Sequence, residues 1–151
     1  MNDIIEENKI IADFIGLRIR WIQTNSYFDP IDYDMEIDNP DFLDHDTELM
    51  YLYECDKPDE NFKFHSSWIW LMPVVEKIES IHDDFHGYFG VHICSNSCVI
   101  QGTNLRTDPE NFHQAYFSEH YGDNKIQATW LAVVSFIKWW NEYNLIDSVV
   151  K

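Results

Sequence analysis

The stretch IDYDMEID, residues 31–38, constrains the fold more than any other in this chain. Ile31, Tyr33, Met35 and Ile37 alternate without a break with Asp32, Asp34, Glu36 and Asp38. Side chains of an extended strand point to opposite faces in turn. A period of two therefore predicts a strand with one apolar face and one carboxylate face. Successive carboxylates on that face stand roughly 6.6 Å apart, twice the rise of about 3.3 Å per residue. Like charges so placed repel, and Asp is depleted in strands, so the arrangement is costly unless water, a metal ion or a cationic partner meets it.

The residues around the stretch add to the charge. From Trp21 to Asp56 there is no Lys or Arg, and there are eleven acids: Asp29, Asp32, Asp34, Glu36, Asp38, Asp41, Asp44, Asp46, Glu48, Glu54 and Asp56. The formal charge of the 151-residue chain is −17, so the acidic segment 21–56 holds most of it. Acidic disordered chains are poor in rings, whereas this one has six Trp, eight Tyr and ten Phe, and it is expected to fold around a core. Such a charge argues against direct binding of DNA, RNA or an anionic membrane, which need Lys and Arg. With no 18-residue apolar run and an acidic start, MNDIIEENK, neither a signal peptide nor a membrane-spanning helix is expected. Cys55, Cys94 and Cys98 are an odd number, consistent with reduced thiols in the cytoplasm of a host cell.

The rest of the chain reads as an α+β pattern. Residues 3–15 form an amphipathic helix stopped by Gly16, and Leu17 to Gln23 alternates as a strand with Arg18 and Arg20 on its outer side. After the acidic strand, ELMYLYE at 48–54 predicts a more central strand. Ser66 or Ser67 caps a helix towards Ile81, which Pro73 is expected to kink or interrupt. Tyr88–Cys94 and Cys98–Thr103 pair as a hairpin around Ser95-Asn96-Ser97, and Phe112–Glu119 is a last strand. Asp123 or Asn124 caps the final helix, whose buried stripe is Ile126, Trp130, Val133, Val134, Ile137 and Trp140. The expectation is a single domain over 1–151: a mostly antiparallel sheet packed by an N-terminal helix, a Pro-interrupted middle helix and a long C-terminal helix.

HSSWIWLMPVVEKIES at 65–80 and KIQATWLAVVSFIKWWNEYN at 125–144 resemble a recurrent family of small uncharacterised proteins from Bacteroidota and their phages and prophages. These are core-forming segments, about a quarter of the chain, and the family offers no catalytic residues to carry over. What the resemblance implies is context: mobile, phage-associated genes often encode inhibitors of host defence.

Candidate partner-binding residues are Asp29, Asp32, Asp34, Glu36, Asp38, Asp41, Asp44 and Asp46. A nucleic-acid strand advances about 3.4 Å per phosphate along its axis, and the winding backbone makes true separations roughly twice that. The carboxylate row can thus imitate phosphates and compete for the cations of a nucleic-acid channel. The plain alternative is a solvated edge strand whose charges prevent aggregation. A calcium loop fits less well: Asp32, Asp34 and Glu36 have the opening spacing, but Ile37 and Leu43 stand where Gly and Glu are needed.

His92, Cys94 and Cys98 are the weaker candidates for a metal site, lacking a Cys-x-x-Cys pair. His82 and His86 lie four apart at the end of the predicted middle helix, without the Glu of a metalloprotease helix. CSNSC lacks the glycines of a nucleophile elbow and FHGYFG is no phosphate loop. Trp139 and Trp140 point about 100° apart on a helix, and both are expected to pack.

The expectation is a non-enzymatic, cofactor-free inhibitor of phage type. Its acidic face would occlude a basic nucleic-acid-binding protein such as an RNA-guided or restriction nuclease, by nucleic-acid mimicry of the anti-CRISPR kind. The alternatives are an immunity protein against a cationic nuclease toxin, a metal-binding His/Cys sensor or enzyme, and an accessory protein whose acidity serves solubility. A monomer or a dimer is compatible with an exposed edge strand.

Overall fold

The structure, a computed structural model, describes residues 2–24, 32–38, 51–103 and 116–150. The chain divides into two compact units, Met1–Phe62 and Lys63–Lys151. Helices combine with sheets that are antiparallel throughout, the α+β class expected. No helix among the described residues is long and apolar enough to cross a membrane.

In the N-terminal unit, helix α1 (Asn2–Ile15) buries Asn8, Ile11, Ala12 and Ile15. Gly16, at φ 79°, ends it in a left-handed turn that a side chain would resist. The Gly16 amide donates to the Asp13 carbonyl (3.1 Å) and the Leu17 amide to that of Ala12 (2.9 Å), a Schellman closure that satisfies two carbonyls at the helix end. Asn8 is buried but satisfied, its Nδ2 donating to the Phe62 carbonyl at 2.9 Å. Strands β1 (Arg18–Thr24) and β2 (Asp32–Asp38) then pair antiparallel, with Arg18 opposite Asp38 and Thr24 opposite Asp32.

The central strand predicted over 48–54 is not seen where the chain is described. Residues 51–53 are helical, the Glu54 amide donating to the Tyr51 carbonyl and the Cys55 amide to that of Leu52; residues 48–50 lie outside the described residues. ELMYLYE has apolar or aromatic groups at nearly every step, so it carries no period with which to choose between helix and strand. A 3-10 turn, Pro58–Glu60, closes the unit with Pro58 at its first position, where the missing N–H costs nothing.

The C-terminal unit has two layers. Strands β3 (His82–Asp83), β4 (Gly87–Ile93), β5 (Ser97–Gly102) and β6 (Phe117–Tyr121) form one sheet in that order. Helix α2 (Trp68–Ser80) packs on β4, and helix α3 (Lys125–Val150) lies across β5 and β6. Phe89, Cys98 and Ile100 face the helices and are buried, while Tyr88, Phe117 and Tyr121 are exposed. The β4–β5 hairpin turns at Ser95-Asn96 as predicted, the Cys94 amide donating to the Ser97 carbonyl at 2.8 Å. The last strand begins later than predicted, at Phe117; residues 112–115 lie outside the described residues.

Pro73 does not interrupt α2, which runs on to Ser80. Proline removes one backbone donor, and Trp70, Leu71, Val74, Val75 and Ile78 are buried on both sides of that gap. Burial of about 1.5–3 kcal/mol per large side chain outweighs the one lost hydrogen bond. Asn124 is the cap of α3: its Oδ1 accepts from the Gln127 amide at 3.0 Å, and the Gln127 side chain accepts in return from the Asp123 amide. Ahead of it, Gly122 passes so close that a Cβ there would meet the Ala128 amide nitrogen at 2.6 Å. Along α3, Trp130, Val133, Val134 and Ile137 are buried as predicted, with Ala128, Thr129, Ala132 and Phe136 beside them.

Trp139 and Trp140 both pack. Trp139 meets Tyr116 (centroids 4.2 Å apart), Phe89 and Tyr143, and Trp140 stacks on Phe136 at 6.1 Å. Adjacent residues on a helix diverge by about 100°. Both are nevertheless reached because Phe89 lies between them, within 5.9 Å of Trp139 and 5.8 Å of Trp140.

Candidate functional site

The hairpin β1–β2 carries the carboxylate row, and its register supplies what local sequence lacks. Directly opposed residues of an antiparallel pair share a face. Arg18 stands opposite Asp38, Arg20 opposite Glu36, Ile22 opposite Asp34 and Thr24 opposite Asp32. The Arg20 guanidinium bridges two acids, 3.2 Å from Glu36 Oε2 and 2.8 Å from Asp38 Oδ1. These side chains are about half exposed, so each pair contributes roughly 0–1 kcal/mol. Their main effect is on the row itself. Glu36 and Asp38 share a cation, whereas Asp34 and Asp32 stand in register with uncharged residues.

The strand predicted over 31–38 is therefore present as β2, and the basic outer face predicted for β1 is set against it. Asp29, Asp41, Asp44 and Asp46 lie outside the described residues. Trp21, expected on the sheltered side of β1, is 55% exposed.

The structure does not bring His92, Cys94 and Cys98 together as ligands. His92 pairs with Val99 on the exposed side of the sheet, while Cys98 pairs with Ile93 and His120 on the side under the helices. Adjacent strand residues point to opposite faces, which separates what sequence proximity joined. Cys98 is fully buried; burial pushes its thiol up to about 11, and the nearby Thr129 hydroxyl only partly offsets that. Cys94 is exposed in the turn, and all three cysteines are free thiols. Among the described residues no three of His, Cys, Asp and Glu are grouped to hold a metal ion.

Sequence reasoning missed a polar clasp in the C-terminal unit. Asp83 Oδ1 accepts from the amides of Phe85 (2.9 Å) and His86 (2.8 Å) and lies 2.9 Å from His86 Nδ1. Its other oxygen accepts from the Tyr143 hydroxyl at 3.3 Å, so the carboxylate joins the β3–β4 turn to α3. Burial alone would push this carboxyl up, but the hydrogen bonds from the His86 amide and ring and from the Phe85 amide outweigh it and hold it below its ordinary range. His86 is 3% exposed, walled by Phe85, Phe89, Trp139 and Tyr143. An Asp–His pair so enclosed positions a turn and presents no base to a substrate. The readable signal was Asp three residues ahead of His in HDDFHG, an Asx-type spacing hidden by attention to the two histidines.

Beside the clasp, the Tyr116 hydroxyl is buried without a hydrogen-bond partner among the described residues. Burial raises its ionisation above the ordinary value, and the Ser118 and Ser135 hydroxyls, near but outside bonding geometry, pull the other way.

No family model, curated protein or solved structure matches the chain.

Proposed function

We propose that the chain is a non-catalytic inhibitor whose acidic N-terminal region occupies the cationic surface of a nucleic-acid-handling protein. The observation that carries this reading is the hairpin register. It orders a carboxylate strand in which Asp32 and Asp34 stand opposite uncharged residues, inside a unit with seventeen acids and four Lys or Arg. A field of that sign steers basic partners quickly and repels nucleic acid itself. Because Arg20 holds Glu36 and Asp38, the row is a shorter imitation of a phosphate run than four carboxylates in line. The resemblance to Bacteroidota and phage proteins supports seeking the partner among host defence nucleases, of the RNA-guided or restriction type. Occlusion there is steric and electrostatic, with no turnover.

The test is capture of nuclease-treated host proteins on the immobilised chain at 50 mM and 500 mM salt, with duplex DNA as competitor. Wild type is expected to hold a nucleic-acid-binding protein at low salt and to release it to the duplex. The Asp32→Ser/Asp34→Ser variant is expected to retain at least tenfold less. Capture that neither DNA nor the double substitution diminishes overturns the reading.

A further inference from the structure

In a unit where acids outnumber cations so heavily, three of the four cations line one cavity. Lys9, Arg18 and Arg20 border a pocket of about 310 Å³ between α1, β1 and the 3-10 turn, and only Lys57 lies away from it. Its apolar lining includes Ala12, Leu17 and Phe62, each at most 5% exposed.

The three cations are not equivalent. Lys9 is held by Glu6 at 3.3 Å and Asp59 at 3.6 Å, and Arg20 by Glu36 and Asp38. Arg18 is exposed and has no ion-pair or hydrogen-bond partner among the described residues. Its cross-strand neighbour is Asp38, whose carboxylate oxygen lies 2.8 Å from Arg20 instead. A guanidinium with five donors and no acceptor thus lines the pocket together with Leu17 and Phe62.

We propose that this pocket binds a small monocarboxylate carrying a compact apolar group. Arg18 receives the carboxylate through a paired, charge-assisted contact, and Leu17 and Phe62 receive the apolar body. The volume is at the small end of ligand sites, which run from about 300 to 1,000 Å³. Lys9 and Arg20 are already matched by Glu6, Asp59, Glu36 and Asp38, so Arg18 is the cation left to meet a single added carboxylate. Arg18 and Arg20 share the hairpin face with the carboxylate row, but the test of the pocket does not depend on any partner of that row.

The test is titration of the full chain by calorimetry with phenylacetate, phenylacetamide and acetate at 150 mM salt. Phenylacetate is expected to bind at least tenfold more tightly than either analogue, since only it offers both the charge and the ring. Arg18→Gln is expected to bring phenylacetate down to the level of the amide. Lys57→Gln, which removes an equal charge away from the pocket, is expected to change binding less than twofold. Far-ultraviolet circular dichroism checks that both variants fold. Equal binding of the amide, an equal loss in Lys57→Gln, or no saturable binding at 10 mM overturns the proposal.

Discussion

The N-terminal unit holds seventeen Asp and Glu against four Lys and Arg, and the C-terminal unit holds ten against six. Their cohesion differs accordingly. In the C-terminal unit, Phe89 has ring neighbours in His86, Tyr116, Phe136, Trp139 and Trp140, all within 6.2 Å. In the N-terminal unit, Glu36 and Asp38 meet Arg20 across a strand pair at half-exposed positions. Apolar burial contributes about 25 cal/mol per Å² and is not screened by salt, whereas exposed ion pairs contribute little and are screened within about 8 Å at physiological ionic strength.

That contrast is sharpest at Phe89. Replacing it with Ala leaves a cavity at the centre of the ring cluster and should cost about 3–5 kcal/mol, read as a lower urea midpoint at unchanged slope. A cost near zero would mean that the aromatic packing does not hold the C-terminal unit together.

A smaller effect is expected at Asp83. Asp83→Asn leaves the His86 ring and amide short of an ionised acceptor and should cost roughly 1–3 kcal/mol at pH 7. The sign with pH follows from the direction of the shift. Asp83 lies below its ordinary 3.8 in the folded chain, so its contribution is complete above that value and is lost as pH falls through the lower folded one. Unfolding followed from pH 7 to pH 2 should show wild type and variant converging at the acid end. Parallel curves would remove the carboxylate from the account.

The smallest effect belongs to the hairpin. Arg20→Gln should cost under about 1 kcal/mol, and the difference from wild type should shrink in 1 M salt. A salt-independent loss of several kcal/mol would show that β1–β2 depends on Arg20 as the C-terminal unit depends on Phe89, and the contrast between the units would fail.

Much of this architecture was legible in one dimension. Strict alternation marked β2, a glycine marked the end of α1, and the Asp123-Asn124 pair marked the start of α3, where the structure makes Asn124 the cap. These signals are local: backbone period, left-handed φ and capping depend on neighbours within about four residues. Where the period was absent, as in ELMYLYE, the reading went astray. At Pro73 the local rule was sound, but burial along both halves of α2 overrode it.

The candidate site was legible only in outline. The absence of Lys and Arg from 21–56 seemed to leave the carboxylates without cations, yet Arg20 lies one residue outside that window and reaches Glu36 and Asp38 across the hairpin. Likewise His92 and Cys98 are six apart in the chain and on opposite sides of a sheet in space. The convergence of Lys9, Arg18 and Arg20 on one pocket has no sequence pattern at all, since a helix and a strand contribute them.

The amino-acid order alone settled the class of fold, the position of most elements and the sign of the surface, because propensity, period and charge are properties of short segments. Tertiary structure decided which charges are neutralised, which thiol is buried and where the cations gather. Those depend on strand register and on which face of the sheet lies under a helix, and a shift of one residue in register would reverse every one of them.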